Sequence, residues 1–486
     1  MVGLANIRHR ARMMALASIA VLGFFHPLAV HAHSPGLVDR TISESRVASP
    51  ARGYWDLPGY GMAFDFKPVS VDVYDHAGDV CWRDTEHAGV QAAIELVPFF
   101  GTNASGSLAF FASAPDGTRY QTQSMAGMPI ACTAAIDRTN PRYIFDAVAA
   151  SLTEFYPFAR EHHVDWSDRS NRLRPRIAEA KTERDLLAVL SALFENVEDP
   201  HTSISGTVNG KPFRLRSFRG EDFRELNRQF SRQRQYDNFL DWVFGSWMPR
   251  ERSQAAATLL PDTYRQALGG ALVWGRLQDD VGYLAINEMT GFGVDTDLES
   301  ERSRLRSALD LALTDLKDTR ALVLDISHNL GGEDEVSADI AARFADKIRP
   351  AYSKQALHGG SVQRFDIVPY HGVSYRKPVY MVTSELTASA AEVFALRMRQ
   401  LPNVIQVGET TQGIFSDATE KGLPNGWILS MSTEIYRDPG GQSYEWCGLS
   451  PRIRYQVIGL EPATGDYGKA IRRAGAMAAS RNLAGP

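Results

Sequence analysis

The spacing of hydrophobic positions changes along the chain, and each change predicts a different kind of structure. Between residues 53 and 138, short apolar runs alternate with turn signals, which is typical of β-strands. The pair Asp116-Gly117 predicts a hairpin turn. The runs that predict strands are residues 61–66, 69–74, 92–97 and 107–111. This part of the chain therefore predicts a small antiparallel β domain.

From residue 141 the apolar positions recur at helical spacing. Ile144, Val148, Leu152 and Phe155 would share one face of a helix, so two or three packed helices are expected before residue 205. The arginine-rich residues 211–234 also contain acidic side chains. This mixture favours a solvated helix face over a nucleic-acid site.

After residue 270, apolar strands alternate with amphipathic helices, which is the pattern of a layered α/β domain. The predicted buried strands are residues 281–286, 321–326, 378–382 and 404–407. The predicted helices are a leucine stripe over 305–316 and the segments 336–345 and 391–398.

Composition and charge narrow the class of protein. The chain has 486 residues, of which 44% are hydrophobic and 22% are charged, so it can form two or three globular domains. The formal net charge is -5 and the isoelectric point is about 6.2, so the chain lacks the basic character of most nucleic-acid-binding proteins. A nucleic-acid partner is not expected.

The first 33 residues resemble a secretory signal peptide. Arginines at positions 8, 10 and 12 precede an apolar run over 13–25 and a small-x-small cleavage site at 30–32. A signal peptide predicts export. No stable membrane insertion is expected after cleavage, because this apolar run is short and no later apolar run reaches about 18 residues. An uncleaved anchor is the alternative.

The chain contains three cysteines, which permit one disulfide and one free thiol in an exported protein. Cys81 and Cys132 are the favoured pair, because both lie in the N-terminal strand-rich region. Cys447 lies far along the chain.

Residues 387–392 place a serine where a buried strand becomes a helix. Ser389 lies at the first turn, where free N–H groups and the helix dipole stabilise an oxyanion, so a nucleophilic serine is favoured there. Ser389 and Glu392 also form the S-x-x-E pattern of a capping box, which needs no chemistry. The two roles can coexist.

Three other motifs bear on that choice. The Gly331-Gly332 pair follows a buried strand, so one of its N–H groups and that of Ala390 could form an oxyanion hole. His201 follows Pro200, where a helix is expected to end. Glu445 lies in a return between strands. Each motif alone also fits an ordinary turn, surface histidine or solvent-facing acid.

Taken together and in this order, the motifs resemble the tail-specific (C-terminal processing) serine peptidases. The match is closer to the branch that includes the tricorn core and the interphotoreceptor retinoid-binding proteins. The resemblance covers about residues 141–470. The pieces that carry it lie in residues 145–166, 199–202, 325–332, 387–392, 408–409, 413–426, 444–445 and 448–451.

The resemblance implies that Ser389 is the nucleophile. It also implies an oxyanion hole formed by the N–H groups of Gly331 (or Gly332) and Ala390. The general-base lysine of one family branch would fall at Ile414 and is absent, and Lys421 comes seven residues later.

The other branch takes its base from a histidine that matches His201, oriented by an acid that matches Glu445. The tricorn branch has a serine before this histidine, where the present chain has Pro200, so the relay could be direct or use Thr202 or a water. Ser327 stands where the family's glycine turn often carries arginine, and His328 is a rival base.

The expected fold is an α/β catalytic domain with crotonase-like layered ββα architecture, preceded by a small antiparallel β domain and a helical segment. The expected divisions are a signal peptide (1–33), a flexible leader (34–52), the β domain (53–138), the helical segment with His201 (139–205), a connecting segment (206–270), the α/β core (271–470) and a C-terminal tail (471–486).

The expected function is an exported serine endopeptidase that acts on polypeptides and needs no metal or cofactor. Two alternatives remain open. One is a binding protein for a peptide or hydrophobic ligand on a peptidase scaffold. The other is a crotonase-type acyl-CoA enzyme, which export disfavours.

Overall fold

The computed structural model describes residues 38–43, 46–102, 108–217, 224–236, 239–293, 297–458 and 466–480. The predicted signal peptide lies outside these residues. The prediction of a flexible leader is wrong for the described part of 38–52, because Val47 and Ala51 are buried in the core there. These residues form β1 (Val38–Arg40), β2 (Ile42–Ser43), β3 (Arg46–Val47) and a 3-10 turn (Ser49–Ala51).

An eight-stranded antiparallel sheet follows, in the order β1-β8-β9-β10-β4-β5-β6-β7. Its other strands are β4 (Gly53–Leu57), β5 (Met62–Phe66), β6 (Val71–Ala77), β7 (Val80–Asp84), β8 (Phe99–Thr102), β9 (Ala109–Ala112) and β10 (Arg119–Met125). β9 and β10 form the hairpin predicted at Asp116-Gly117. We call these eight strands the N-terminal sheet.

One predicted strand of this region is wrong. Residues 92–97 fall largely within helix α1 (Gly89–Leu96). Ala93 and Val97 are buried and Val90 packs beside them, so the apolar contacts recur every three to four residues. The short helix α2 (Ile130–Thr133) carries Cys132, which forms a disulfide with Cys81 of β7, the pair favoured from the sequence.

Three packed helices come next: α3 (Pro141–Phe155), α4 (Trp166–Glu179) and α5 (Glu183–Leu193). A Thr182/Asp185 capping box starts α5. This helix ends at Leu193 and not at Pro200 as predicted, so a turn of several residues leads to His201. The arginine-rich segment is not wholly helical, because Arg214 and Arg216 lie on a strand. The strands that follow are β11 (Ser203–Val208) and β12 (Lys211–Arg216).

The connecting region contains three short helices and a π-helical turn between the second and third. These helices are α6 (Arg224–Arg232), α7 (Phe239–Trp242) and α8 (Met248–Ala256), and the π turn covers Val243–Trp247. Trp242 and Trp247 are buried in a small cluster with Leu386 and Ile458. This region therefore packs next to the segment that precedes Ser389.

A seven-stranded mixed sheet forms the centre of the α/β region, in the order β13-β14-β15-β16-β19-β20-β24. From β15 onward its neighbouring strands pair in parallel. The strands are β13 (Arg265–Ala267), β14 (Leu272–Arg276), β15 (Val281–Ile286), β16 (Ala321–Asp325), β19 (Val379–Thr383), β20 (Val404–Gly408) and β24 (Ile453–Arg454).

Helices cover both faces of this sheet, which explains why its central strands are continuously apolar. Leu322, Leu324 and Met381 face one cluster, and Val323 and Val382 face the other. The helices are α9 (Leu298–Leu316), α10 (Asp334–Ala342), α11 (Ala390–Met398) and α12 (Asp466–Ser480).

The predicted boundary between core and C-terminal tail falls inside α12. Ile471, Ala474 and Ala478 of this helix are buried against the seven-stranded sheet. Residues 471–480 therefore belong to the core, because their apolar face completes one layer of it.

Two smaller antiparallel sheets complete the fold, in the orders β12-β11-β22-β21 and β18-β17-β23. Their remaining strands are β17 (Arg349–Ala356), β18 (Gly359–Ile367), β21 (Ala418–Gly422), β22 (Ile428–Ser432) and β23 (Glu434–Arg437). β11 thereby connects the turn with His201 to the strands that follow residue 417.

The N-terminal sheet is fastened to the α/β region by buried polar contacts. Lys421 has no exposed side-chain surface, and its ammonium contacts the Tyr60 carbonyl, the Gly61 carbonyl and Asp75 at 2.7, 2.6 and 3.0 Å. Arg302 of α9 contacts Asp116 of the N-terminal sheet at 2.7 Å. Lys421 is therefore a structural residue at this contact.

None of the helices formed by the described residues combines the length and the apolar character that a bilayer crossing requires.

Candidate active site

Ser389 lies between β19 and α11 in an unusual backbone conformation. Its φ of 55° and ψ of -129° fall in a region that L-residues rarely adopt. The side chain is half-buried and forms no hydrogen bond to any described residue. The capping prediction is wrong for Ser389, because its hydroxyl accepts no N–H from the helix. The hydroxyl is left available for chemistry.

Glu392 anchors a neighbouring loop. Its two carboxylate oxygens accept the N–H groups of Gly413 and Ile414, each at 2.7 Å. Burial raises the pKa of Glu392 to about 7, although hydrogen bonds from Thr411 and from the backbone of Ile414, Gly413 and Ser389 oppose the rise. Glu392 thus ties the start of α11 to residues 413–417, which we call the 413–417 loop.

Gly331 lies directly against the serine. A Cβ atom on Gly331 would stand 2.7 Å from the Ser389 Cβ and 2.9 Å from the Ala390 nitrogen, and Gly331 has a φ of +103°. Only glycine fits this position. The Gly331 N–H donates to Asn329 Oδ1 at 2.8 Å. Among the described residues, the N–H groups of Gly332 and Ala390 have no hydrogen-bond acceptor.

The glycine turn is held without the arginine common in the resembled family. Ser327 donates its N–H and its hydroxyl to Asp325 Oδ1, at 3.0 and 2.7 Å, and lies 2.8 Å from the Tyr467 hydroxyl. The Thr387 hydroxyl donates to the Ile326 carbonyl at 3.0 Å. The two turns that flank Ser389 are therefore joined to each other.

His328, the rival base, is enclosed in the core. Its ring stacks on Tyr467 with centroids 4.3 Å apart and meets Trp247 edge-on at 5.2 Å. Neither ring nitrogen has a hydrogen-bond partner, and burial lowers the pKa of His328 to about 3. This environment favours a neutral, inert ring.

His201 is held by Asp199 at the turn after α5. Asp199 accepts the His201 N–H at 2.8 Å and the Thr202 hydroxyl at 2.9 Å. Burial lowers the pKa of His201, although the nearby carboxylates of Asp199 and Asp417 oppose the shift. His201 Nδ1 is buried without a partner. The ring is thus available as a neutral base beside the 413–417 loop.

Glu445 binds the same loop from the other side. One of its oxygens accepts the N–H groups of Phe415 and Ser416 at 2.9 and 3.1 Å. Burial and the nearby Asp199 and Glu392 raise the pKa of Glu445 well above its usual value. No hydrogen bond joins Glu445 to His201 among the described residues. Glu445 is instead bonded to the backbone of the 413–417 loop.

A cavity of about 520 Å³ is lined by residues that adjoin His201 and Glu445 in the chain, but Ser389, His201 and Glu445 are not among its lining residues. Within the described residues, no hydrogen bond joins Ser389 to His201. Pro200, Ile414, Trp446 and Cys447 contribute to its wall. The Trp446 side chain is 44% exposed and its backbone has a φ of 70°. Cys447 is an exposed free thiol. The cavity therefore lies beside the turn that leads to His201 and the segment that follows Glu445.

Sequence reasoning missed several residues that build this site. Asn329, Asp199 and Asp417 act on the glycine turn or on His201 through non-local or main-chain contacts. All three lie within motif segments already noted, 199–202, 325–332 and 413–426, but nothing local indicates the contacts that they make. Within the described residues, no group of three or more His, Cys, Asp and Glu side chains could hold a metal ion.

Two protein families match parts of the chain. Residues 280–455 match Peptidase family S41, and residues 137–195 match the Tricorn protease C1 domain. The first match contains the seven-stranded sheet from β15 onward, the glycine turn, Ser389 and Glu445. The second contains the three packed helices that precede His201.

Two curated relatives come from Bacillus subtilis (strain 168). The carboxy-terminal processing protease CtpB is 26% identical over 175 residues, which is 36% of this chain and 33% of CtpB. The carboxy-terminal processing protease CtpA is 24% identical over 159 residues, which is 33% of each chain. The similarity thus spans about a third of the length of each relative.

Among solved structures, a provisionally assigned peptidase of Parabacteroides merdae ATCC 43184 superposes with a TM-score of 0.53. It is 23% identical, and the match covers 69% of this chain and 97% of that one. This likeness concerns the fold alone.

Proposed function

We propose that this chain is a serine endopeptidase of the tail-specific type, which cleaves polypeptides through an acyl-enzyme on Ser389, because residues 280–455 match Peptidase family S41. His201 is the general base, and Gly332 and Ala390 form the oxyanion hole. The observation that carries the proposal is the Ser389 backbone. Its strained turn leaves the hydroxyl half-exposed and unbonded, at the start of α11 and against Gly331.

In the proposed acylation, His201 takes the proton from the Ser389 hydroxyl while its oxygen bonds to the scissile carbonyl carbon. The carbonyl oxygen becomes an oxyanion, which the Gly332 and Ala390 N–H groups stabilise. The C–N bond then breaks, and the His201 imidazolium returns the proton to the leaving amine. Water repeats the sequence on the acyl-enzyme and releases the acid.

Gly332 replaces Gly331 as the preferred donor in this scheme, because the Gly331 N–H already donates to Asn329. Glu445 is proposed to orient His201 indirectly. It holds the Ser416 N–H, and the next residue of that loop, Asp417, places a negative charge near the His201 ring. This route needs no direct contact between Glu445 and His201, and it leaves Pro200 without a role in the relay.

A fluorophosphonate probe tests the nucleophile. The wild-type chain should be labelled, and Ser389→Ala should lose both labelling and peptidase activity on an unfolded protein substrate. Ser450→Ala, a nearby exposed serine, is the matched control and should be labelled like the wild type. Labelling that persists in Ser389→Ala would contradict the proposal. Folded wild-type protein that is never labelled would favour a binding protein on the same scaffold.

We further propose that the protein is exported and that its layers are crotonase-like. The Cys81–Cys132 disulfide supports export, since disulfides persist in oxidising compartments. Helices on the parallel strands β15, β16, β19 and β20 support ββα layering. N-terminal sequencing of the mature protein should find cleavage after Ala32, and retention of residues 1–33 would contradict the export signal.

A further inference from the structure

We propose that the cavity beside the His201 turn binds a basic side chain of the polypeptide substrate, a lysine or an arginine. The apolar stem of that side chain would lie on Trp446, and its positive charge would face Glu409. This preference rests on the proposed function, because it takes polypeptides as the substrates. It names the residue type that is selected, which the acyl-enzyme chemistry leaves open.

The cavity is fastened to the turn that carries Ser389. Gln412, one of the lining residues, donates its N–H to the Thr387 carbonyl at 3.0 Å. Ile414, another lining residue, donates its N–H to Glu392 of α11 at 2.7 Å. A substrate residue held in the cavity would therefore be bound next to the serine turn.

Trp446 is held half-exposed in the cavity wall by a backbone conformation that costs free energy. Its side chain is 44% exposed, and its φ of 70° is one that aromatic residues rarely adopt. Its N–H donates to the Gly413 carbonyl at 2.7 Å, and the His162 ring packs against the indole with centroids 4.4 Å apart. Strain of this kind is typical of ligand sites. An exposed indole binds both an apolar stem and a cation.

The polar side of the same cavity is acidic. Glu198, Glu385 and Glu409 line it, and the lining residues that the structure describes include no lysine, arginine or histidine. Carboxyl groups of one sign in a concave wall create a negative potential, which favours a positive ligand over a neutral or negative one. The charge of the wall therefore complements a basic side chain.

Glu409 is built into this wall with one oxygen unpaired. Its Oε1 accepts the N–H groups of Val457 and Ile458 at 3.0 and 3.3 Å. Its Oε2 is buried and has no hydrogen-bond partner among the described residues. Burial raises the pKa of Glu409 to about 7, although backbone hydrogen bonds oppose the rise. A cation in the cavity would stabilise the ionised carboxylate and offset the cost of its burial.

The size of the cavity fits a long side chain. Its volume of about 520 Å³ lies within the range of small-ligand sites, about 300–1,000 Å³. An apolar side chain would fill the space but leave the carboxyl groups without a cation, and an acidic one would add a like charge. Lysine and arginine combine an apolar stem with a positive end, so they match both sides of the cavity.

The test compares the binding of capped alanine peptides to Ser389→Ala, which should bind them without turnover. The peptides carry lysine, norleucine or glutamate at one central position, and norleucine has the stem of lysine without its ammonium. The lysine peptide should bind about tenfold more tightly than the norleucine peptide, and the glutamate peptide most weakly. The advantage of lysine should shrink as the salt concentration rises.

Two further variants in this background separate the charge from the stem. Glu409→Gln keeps an oxygen for the backbone N–H groups, and should weaken lysine binding to within about threefold of norleucine while norleucine binding stays unchanged. Trp446→Ala should weaken both peptides, because both use the stem contact. Glu95→Gln and Tyr264→Ala are the matched controls. They change an exposed acid and an exposed aromatic residue outside the cavity, and should change neither affinity.

Equal affinities for the lysine and norleucine peptides would overturn the proposal, as would binding of none of the three. So would an unchanged preference for lysine in Glu409→Gln, or in Glu385→Gln if Glu409→Gln does not fold. Binding needs no catalysis, so lysine selection by a chain whose Ser389 is never labelled by the fluorophosphonate would leave this site in place on a binding protein. Failure of the nucleophile and failure of the basic subsite are therefore separate results.

Discussion

At the scale of single residues, the site depends on two backbone conformations that cost free energy. Ser389 has a φ of 55° without being glycine, a state that costs about 1–3 kcal/mol and persists only when its surroundings impose it. Gly331 packs directly against Ser389 and leaves room for this conformation because it has no side chain. In this conformation the hydroxyl makes no capping hydrogen bond to the helix, whereas a relaxed N-cap serine would make one.

Gly331→Ala tests this arrangement. The added methyl group would meet backbone atoms of Ala388 and Ala390 at 2.9 Å, so the serine turn must move. A displacement of about 1 Å can lower the rate about a hundredfold, and we expect a loss of kcat/KM of that size. Gly291→Ala is the matched control, because Gly291 also has a positive φ, of +76°, but no atom within 4 Å of its Cβ position.

Both variants should lose stability through backbone strain, by about 1–2 kcal/mol in urea unfolding. Only Gly331→Ala should lose activity beyond what the remaining folded fraction explains. Equal activity in the two variants would mean that close packing of Gly331 on Ser389 is not needed.

At the scale of elements, Glu392 joins helix α11 to the 413–417 loop with a carboxyl group whose pKa is raised to about 7. Because the folded-state pKa exceeds the unfolded value near 4.5, the folded state binds the proton more tightly. The stability that this tighter proton binding adds to the folded state is fully present below pH 4.5 and is lost as pH rises through 7. Glutamine mimics the protonated acid and cannot ionise.

The free energy of unfolding of Glu392→Gln, relative to that of the parent protein, should therefore increase from pH 5 to pH 8. The limit set by the pKa shift is about 3 kcal/mol. Urea titrations at several pH values in the Ser389→Ala background measure it. Glu95→Gln, on an exposed helix position, should show no such trend. A flat difference for Glu392→Gln would contradict the buried protonated state.

The elements also show what the sequence could predict. The strand Val281–Ile286 was predicted with its observed bounds, and α11 to within a residue, because the buried faces of a doubly covered sheet leave continuous apolar runs. The strand predicted for residues 92–97 is wrong, because the side-chain pattern there also fits a helix with few buried positions. The predicted end of α5 at Pro200 is too late, because the helix already ends at Leu193 and proline only marks the latest possible end.

The sequence names the candidate site residues but not the contacts that connect them. Ser389, the glycine turn and the His201 turn follow local rules for helix starts and tight turns. The role of Glu392 depends on Gly413 and Ile414, and that of Glu445 on Phe415 and Ser416. These partners are 20 or more residues away, and no local pattern of charge or hydrophobicity specifies them.

At the scale of the whole molecule, the N-terminal sheet and the α/β region share buried charges and hydrogen bonds. Lys421 and Asp75 both have 0% exposed side-chain surface and pair across this contact. The Trp82 indole N–H donates to the Gly422 carbonyl at 2.7 Å. Removing residues 34–138 would expose these groups without partners. We therefore expect the two parts to unfold together, as one calorimetric transition.

Lys421→Met tests the shared stability. It leaves Asp75 buried without its cation, and should reduce the free energy of unfolding by about 3 kcal/mol while the transition stays single. Lys67→Met is the control, because Lys67 is an exposed lysine of the same sheet that pairs with Asp72, and it should cost less than about 1 kcal/mol. Two separated transitions in the parent protein would show that the parts are independent.

Cys447 gives the molecule an experimental handle. The chain has three cysteines and two of them form the disulfide, so a thiol-selective reagent can attach at one place only, in the wall of the cavity that Pro200 and Trp446 also line. A fluorophore placed there would report peptide binding by its emission, even in a variant that cannot turn over. A peptide that carries an activated disulfide would attach to Cys447 and block the cavity. A reductant would reverse this block and Cys447→Ser would prevent it, whereas neither would reverse acylation of Ser389.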